Sequence, residues 1–429
     1  MKTVMDQTSS GLSSSEIRTL SLASVGGALE FYDFVVFVFF TAVIGKLFFA
    51  ASLPDWVRQA QTFGIFAAGY LARPLGGVVM AHFGDTVGRK RIFMLSVLLM
   101  AIPTLLIGFL PTYQSIGVTA PILLLVMRIM QGIAIGGEAP GAWVFVAEHA
   151  RRGRTGLAVG LLTGGLSSGI LLGSLMATLL NHVYTQAEIT AWAWRIPFIV
   201  GGIFGFIAMW LRRWLTETPV FEEMRTRAAL SRELPFWTVL RGHKRAVITS
   251  MISTWMLTAA IVVVILMTPT LLPKLFHLPA TQAQTANLLA TAALVISVIV
   301  GGIAVDRFGL RRVALPTVLL LIGATYALYL CAGTMPSALL PLYALAGVGA
   351  GAAGLTPIAM VQAFPASVRF SGVSFSYNLA YAVFGGLTPL FVSFIVHINR
   401  LGAAHYVAAV AIAGLIAVLL TPVYELNRS

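Results

Sequence analysis

From Val313 to Val368 the chain runs without a single Asp, Glu, Lys or Arg. The stretches Ile92–Met127, Thr155–Ala187, Ala246–Leu272, Phe370–Asn399 and Leu401–Tyr424 are uncharged in the same sense. A helix crosses the hydrocarbon core of a bilayer, about 30 Å, with about 20 residues at about 1.5 Å each. Each stretch therefore holds one span or two, the longer ones divided at Pro111 and Pro121 and around Gly333 and Pro336. This reading predicts twelve spans, over 20–46, 57–83, 92–110, 121–149, 156–181, 193–214, 246–272, 284–305, 313–332, 337–362, 371–397 and 402–423. Composition agrees: 58% of residues are hydrophobic and 10% charged, where a soluble domain carries about 25% charged residues. No single globular core could hide that much apolar surface, so the expected fold class is an all-α membrane protein.

The net charge is +13. In a soluble protein this would suggest nucleic acid, but lysine and arginine also mark the cytoplasmic loops of membrane proteins. Of the 28 basic residues, 21 fall on the tails and even-numbered loops, 5 on the opposite side, and Arg73 and Arg128 within spans. That split places both termini in the cytoplasm of a bacterial inner-membrane protein and leaves no need for a nucleic-acid partner. The polar start, Met1 to Glu16, and the acidic Glu30 and Asp33 in the first apolar run make a poor secretory signal, so the first span reads as uncleaved. Cys331 is the only cysteine and allows no internal disulfide. The expected organisation is a tail at 1–19, a six-helix bundle at 20–214, a cytoplasmic linker at 215–245, a second six-helix bundle at 246–423 and a tail at 424–429.

Two bundles are also implied by a repeat. Gly84-Asp-Thr-Val-Gly-Arg-Lys-Arg91 follows the second span and Val305-Asp-Arg-Phe-Gly-Leu-Arg-Arg312 follows the eighth. Asp, Gly and a basic pair recur where a six-plus-six duplication would put them, a recurring plan in carriers with a midplane site. On these residues the chain resembles the major facilitator superfamily, whose signature after span two reads Gly-Asp-x-x-Gly-Arg-Lys/Arg.

Further segments narrow the resemblance to the metabolite:proton symporter family, which includes α-ketoglutarate, citrate, shikimate and proline/betaine permeases. They are Leu29-Glu-Phe-Tyr-Asp-Phe34, Arg73-Pro-Leu-Gly-Gly77, Arg128-Ile-Met-Gln-Gly132 running to Gly136-Gly-Glu138, Trp194-Arg-Ile-Pro-Phe198, Glu217-Thr-Pro-Val-Phe221, and Phe364-Pro-Ala-Ser-Val-Arg369 through Tyr377-Asn378 to Gly385-Gly386. The chain departs from the pattern at Leu310 and at Ala139-Pro140. The second departure lies beside the expected pocket, so no one relative's substrate transfers to it. The resemblance implies the major facilitator fold of two pseudo-symmetric bundles and import of a small metabolite with a proton.

An ionisable side chain at bilayer depth costs about 2.5 kcal/mol or more and usually faces the bundle interior. Glu30, Asp33, Arg73, Arg128 and Glu138 all fall in the first six spans, and the last six hold none at comparable depth. Counting about 1.5 Å per residue makes Asp33 level with Arg128 and puts Arg73 level with Glu138, so Asp33 and Arg128 are expected to approach each other in the empty carrier. An arginine in low dielectric attracts a carboxylate; an aspartate competes for it until protonated, which would bind substrate and proton together. Asp33, Glu30 and Glu138 are thus the proton-coupling candidates. Arg128, Arg73 and Gln131, one turn from Arg128, are the substrate-binding candidates, joined by Tyr377, Asn378 and Tyr381 from the second half. The alternative for all of these is a structural role in holding helices together. Phe31, Phe37 and Phe384 read as packing, and Arg195 as an interfacial anchor.

The loop Gly84–Arg91 reads as a gate brace. Gly88 permits the tight turn, Asp85 caps a helix or pairs with basic residues such as Arg89 and Arg91, and Glu148 at the inner end of span four is its expected partner. Asp306 and Gly309 would play the same part in the second half. Gly156, Gly160, Gly164, Gly165, Gly169 and Gly173 allow span five a close neighbour, and this span lacks the Gly-Pro pair typical of drug antiporters.

These observations favour a proton-coupled importer of a small organic acid, acting as a monomer in the bilayer with a carboxylate and a proton as partners, and with no cofactor or metal. Uptake of a zwitterion such as proline or betaine is the alternative, weakened by the short segment after span twelve. A receptor that binds without accumulating and an efflux carrier stand behind it. A membrane enzyme is disfavoured, because no nucleophile–base cluster, metal set or phosphate loop is visible.

Overall fold

A computed structural model describes residues 14–77, 89–136, 138–150, 153–212, 239, 241–365 and 368–424. All the regular structure there is helical. The helices are α1 (Ser14–Phe39), α2 (Thr41–Phe48), α3 (Asp55–Leu71), α4 (Arg89–Phe109), α5 (Thr119–Ile135), α6 (Glu138–His149), α7 (Thr155–Val183), α8 (Ile196–Arg212) and α9 (Lys244–Thr258). The second half adds α10 (Thr268–Phe276), α11 (Ala280–Phe308), α12 (Leu310–Cys331), α13 (Leu339–Ala350), α14 (Leu355–Ala363), α15 (Arg369–Ala380), α16 (Gly386–Ile398) and α17 (Gly402–Leu420). Among the described residues nine helices are long and apolar enough to cross a membrane, or ten counting the pair α1–α2. The remaining two predicted spans are carried by α3 and α4, on either side of residues 78–88. The count is consistent with twelve.

Several spans that read as continuous in the sequence are broken. The first bends by 63° between α1 and α2. The second breaks at Ala72, just before Arg73 and Pro74, because proline offers no N–H to the carbonyl four residues back and forces a new helical start. The fourth divides into α5 and α6. The seventh and eleventh loosen into π-helix over Ala259–Met267 and Tyr381–Gly385, each a few residues ahead of a proline, Pro269 and Pro389. The Val263 carbonyl accepts both the amide and, at 2.8 Å, the hydroxyl of Thr268, and Thr388 Oγ1 donates to the Phe384 carbonyl. The tenth tightens into a 3-10 turn at Gly351–Gly354.

Large side chains facing away from the bundle stay exposed, Phe394 at 67% and Ile398 at 71% among them, as lipid-facing positions require. The most extensive helix contact joins the two halves, α7 against α11. Its backbones touch: a Cβ on Gly156 would lie 2.3 Å from the Gly302 carbonyl, so no larger residue fits. α3 meets α16, and α6 meets α15. The end of the bundle carrying α7's N-terminus is called the basic end below, and the other the opposite end.

Candidate functional site

Arg128 and Arg73 owe their positions to one helix contact. α3 and α5 approach so closely that a Cβ on Gly132 would lie 1.9 Å from the Gly69 carbonyl oxygen. With the backbones in contact, Arg128 and Arg73 extend into the core, at 0% and 1% exposure.

Arg128 lies among aromatic rings. Its guanidinium sits 4.5 Å from the centroids of Phe34 and of Phe37 and 5.5 Å from that of Phe66. Nη1 donates to Gln131 Oε1 at 2.8 Å and to the Phe34 carbonyl at 3.3 Å. Nε and Nη2 have no hydrogen-bond partner. A desolvated guanidinium over a ring gains about 2 kcal/mol or more from the quadrupole, which offsets only part of the cost of burial.

Arg73 repeats the arrangement with tyrosines, and these come from both halves. It lies 4.4 Å from the Tyr381 centroid, 5.2 Å from Tyr377 and 5.6 Å from Tyr70. Tyr70 of α3 stacks on Tyr381 at 5.4 Å, and Trp143 of α6 meets Tyr377 edge-on at 4.9 Å. Arg73 Nε and Nη2 are also unpartnered. Asn378 donates across the halves to the Gly136 carbonyl at 2.5 Å and leaves its own Oδ1 without a donor. The predicted residues Arg73, Tyr377, Asn378 and Tyr381 are thereby brought together, with Tyr70 lying between the two arginine sites.

Asp33 differs from expectation. It is fully buried, and neither carboxyl oxygen has a hydrogen-bond partner. It makes no ion pair with Arg128. α1 turns the carboxyl toward α8, where Oδ1 lies 2.6 Å from the place a Cβ on Gly201 would take, while Arg128 reaches α1 one residue further on, at the Phe34 carbonyl. Helical rise puts both residues in the core, but it carries no information on azimuth, and Asp33 and Arg128 point to different neighbours.

Residues 34–389 match the Major Facilitator Superfamily. The chain belongs to the major facilitator superfamily. It is 33% identical over 398 residues to a citrate-proton symporter of Klebsiella pneumoniae, covering 91% of this chain and 88% of that one. It is 31% identical over 418 residues to a putative proline/betaine transporter of Staphylococcus haemolyticus, covering 96% and 89%. Among solved structures it superposes on the proton:xylose symporter XylE with a TM-score of 0.74 over 94% of each chain, at 17% identity. The fold is therefore the major facilitator fold of two pseudo-symmetric bundles, in a multi-pass membrane transporter.

In this major facilitator chain polar contacts cross between the bundles at both ends of their interface. At the basic end Asp306 of α11 accepts from the Gly156 and Leu157 amides, at 2.6 and 2.7 Å, and so caps α7 across the interface. Three residues on, Gly309 turns the chain at φ 86°, a conformation that favours glycine. Glu148 pairs with Arg369 of α15 at 2.8 Å; the expected contact of Glu148 with the Gly84–Arg91 loop lies outside the described residues. Arg369 is buried and also bonds the Phe364 carbonyl at 3.2 Å. At the opposite end Asn287 donates to Ser174 at 2.9 Å, His182 meets Thr285 at 3.1 Å, and Lys274 bonds Gln59. Gly84, Asp85 and Gly88, and the side chains of Glu30, Arg89, Arg91 and Glu138, lie outside the described residues.

Sequence reasoning missed the rings that hold the arginines. Phe37 reads as packing from sequence, and nothing in the apolar runs sets Phe34, Phe66 or Tyr70 apart. Also missed was a second-half group in which Phe384 stacks on Trp255 at 4.4 Å and Trp255 donates to Tyr406 at 2.8 Å. Phenylalanine is ordinary in a membrane helix, so the usable signal was spacing: Phe66 and Tyr70 are one turn apart on the face that carries Arg73.

Proposed function

We propose that this chain is a proton-coupled importer of a small organic acid, working by alternating access as a monomer in the bacterial inner membrane. Residues 20–214 and 246–423 are the two rocking bundles, and the basic end, with both termini, is cytoplasmic. The observation that carries the reading is the pair of buried guanidinium groups, Arg128 inside the first bundle and Arg73 where the bundles meet, with four unpartnered nitrogens between them. Unsatisfied charged donors in a dry core favour a carboxylate more than any neutral solute. Asp33, a buried carboxyl without a donor, is the proton site. A charge there is costly unless compensated, so proton binding and substrate binding favour the same state. Glu30 and Glu138 assist the proton's passage, and Gln131, Tyr377, Asn378 and Tyr381 shape the pocket.

A second reading, uptake of a zwitterion such as proline or betaine, is favoured by the aromatic rings. The faces that hold the two guanidiniums can also hold an ammonium, while an arginine takes the carboxylate. The Klebsiella and Staphylococcus relatives divide along the same line.

Uptake into proteoliposomes under an inward proton gradient tests both. Accumulation of labelled citrate or another carboxylate, abolished by a protonophore and reduced about tenfold or more in Arg128→Ala, the loss of one charge-assisted bonding site, supports the first. Accumulation of proline or betaine alone replaces the substrate and keeps the coupling. No accumulation from folded protein under proton or sodium gradients overturns import and leaves efflux or sensing.

A further inference from the structure

Asp33 and Arg128 do not touch, yet one side chain borders both. Thr104 of α4 is fully buried. Its Oγ1 accepts from Gln131 Nε2 at 2.7 Å and donates to the Met100 carbonyl at 2.8 Å. Gln131 Oε1 in turn accepts from Arg128 Nη1 at 2.8 Å. The other branch of Thr104, the Cγ2 methyl, lies on the Asp33 side. It and Asp33 Oδ1 stand 2.9 and 2.6 Å from one point, the place a Cβ on Gly201 would occupy. The hydroxyl therefore serves the arginine, and the methyl shares a pocket with the carboxyl.

We propose that Thr104 is a positioning residue that links the proton state of Asp33 to Arg128, by turning its hydroxyl from Gln131 to Asp33. This rests on the proton-coupled reading of the site. Threonine in a helix divides between two rotamers, and one step of about 120° about χ1 carries Oγ1 into the place Cγ2 holds. With Asp33 protonated, the hydroxyl stays on Gln131, Gln131 fixes Arg128, and the free guanidinium nitrogens are aimed for a substrate carboxylate. When Asp33 gives its proton to water, its carboxylate becomes a buried acceptor in need of a donor. The Thr104 hydroxyl then turns to it, keeping its own proton and exchanging the Met100 carbonyl for Asp33 as acceptor. Gln131 loses its acceptor, Arg128 loses its brace, and substrate leaves with the proton.

The other groups facing Asp33 do not offer this link. On α1 itself Tyr32 donates to the Pro197 carbonyl at 2.9 Å, and the side chain of Glu30 lies outside the described residues. α8 and α4 face it with Gly201, Gly205, Ala101 and Thr104, and their basic residues lie at the basic end. The titratable residue of α7 is His182, at its far end, and that of α2 is Lys46. The π segment of span seven is wholly apolar. On α6, Glu148 is held by Arg369, and the side chains of Glu138 and His149 lie outside the described residues.

The test uses the full-length protein in proteoliposomes with radiolabelled citrate and, in parallel, radiolabelled proline. Wild type, Thr104→Val, Thr104→Ser and Asp33→Asn are compared for gradient-driven accumulation, for exchange at equal pH on both sides, and for apparent affinity against pH. Thr104→Val is expected to lose accumulation about tenfold, the size of one buried hydrogen bond, with a flattened affinity–pH profile. Exchange continues at a reduced rate, and Thr104→Ser restores coupling. Wild-type accumulation in Thr104→Val beside lost accumulation in Asp33→Asn overturns the inference and leaves the proton-coupled reading standing. Loss of exchange together with accumulation in Thr104→Val, or an equal loss in Thr104→Ser, makes Thr104 a packing residue and also overturns it. Accumulation in Asp33→Asn, or none in wild type, removes the reading on which it rests.

Discussion

Among the described residues, Arg128 and Arg73 are each enclosed by rings and paired with no carboxylate. Cation–π contact stabilises a guanidinium without consuming its N–H groups, so the charge is held and its donors remain available. An ion pair would hold the charge and spend the donors. The distinction is testable at Tyr381, the ring nearest Arg73. Tyr381→Phe keeps the aromatic face and is expected to preserve uptake, whereas Tyr381→Leu is expected to destabilise the Arg73 site by about 1 kcal/mol, seen as a several-fold rise in the apparent KM. Arg128, Arg73 and Asp33 were legible in the sequence because a charge in an uncharged run has few explanations. Phe34 and Phe66 were not, because an aromatic residue in an apolar run has many. The orientation of Asp33 was hidden for another reason: helical rise fixes depth, while the face a side chain uses depends on which neighbour supplies a glycine, here Gly201 of a span far away in sequence.

Among the elements, the interface combines two unbroken helices, α7 and α11, with interrupted spans. Proline and glycine mark most of the interruptions, and these were visible, but the local geometry at each break was not. Pro269 and Pro389 come shortly after π turns, and beside each a threonine hydroxyl bonds a carbonyl of its own helix. Gly132 sets the α3–α5 contact on which both arginines depend. Gly132→Ala adds a Cβ that would meet the Gly69 carbonyl at 1.9 Å, so the helices must part. The expected cost is about 1–3 kcal/mol, read as a lower melting temperature in detergent and a matching loss of uptake. Gly201→Ala is expected to act differently. The new Cβ would lie 2.6 Å from Asp33 Oδ1, displacing the carboxyl while leaving the bundle folded. Gradient-driven accumulation should fall, and melting temperature should change little.

For the whole molecule, contacts join the bundles at both ends, and at the basic end the described ones include the Glu148–Arg369 pair and the Asp306 cap on α7. Arg369→Ala removes one partner of the Glu148 pair and leaves Asp306 as the cap on α7. A larger share of molecules should then open at that end, measured as faster labelling of a cysteine introduced at Ser374 in a background lacking Cys331. The charge swap Glu148→Arg with Arg369→Glu should bring labelling back toward the wild-type rate, whereas either swap alone should not. The interface was legible from the repeat only in outline: Asp306 reads as a gate brace, but its partner, the N-terminus of α7, lies in the other half and leaves no mark beside it. The aromatic enclosure of the arginines has a consequence for bioenergetics. Among the described residues, two guanidiniums and one carboxyl occupy the core with no ion pair between them, so these three groups taken alone carry excess positive charge. Each elementary charge moved through the full field is worth about 2.3 kcal/mol per 100 mV. If these groups set the charge of the empty site, a cell negative inside would draw the unloaded transporter toward its inward-open form and an anionic cargo would cancel that pull, which transport measured at imposed membrane potentials would show.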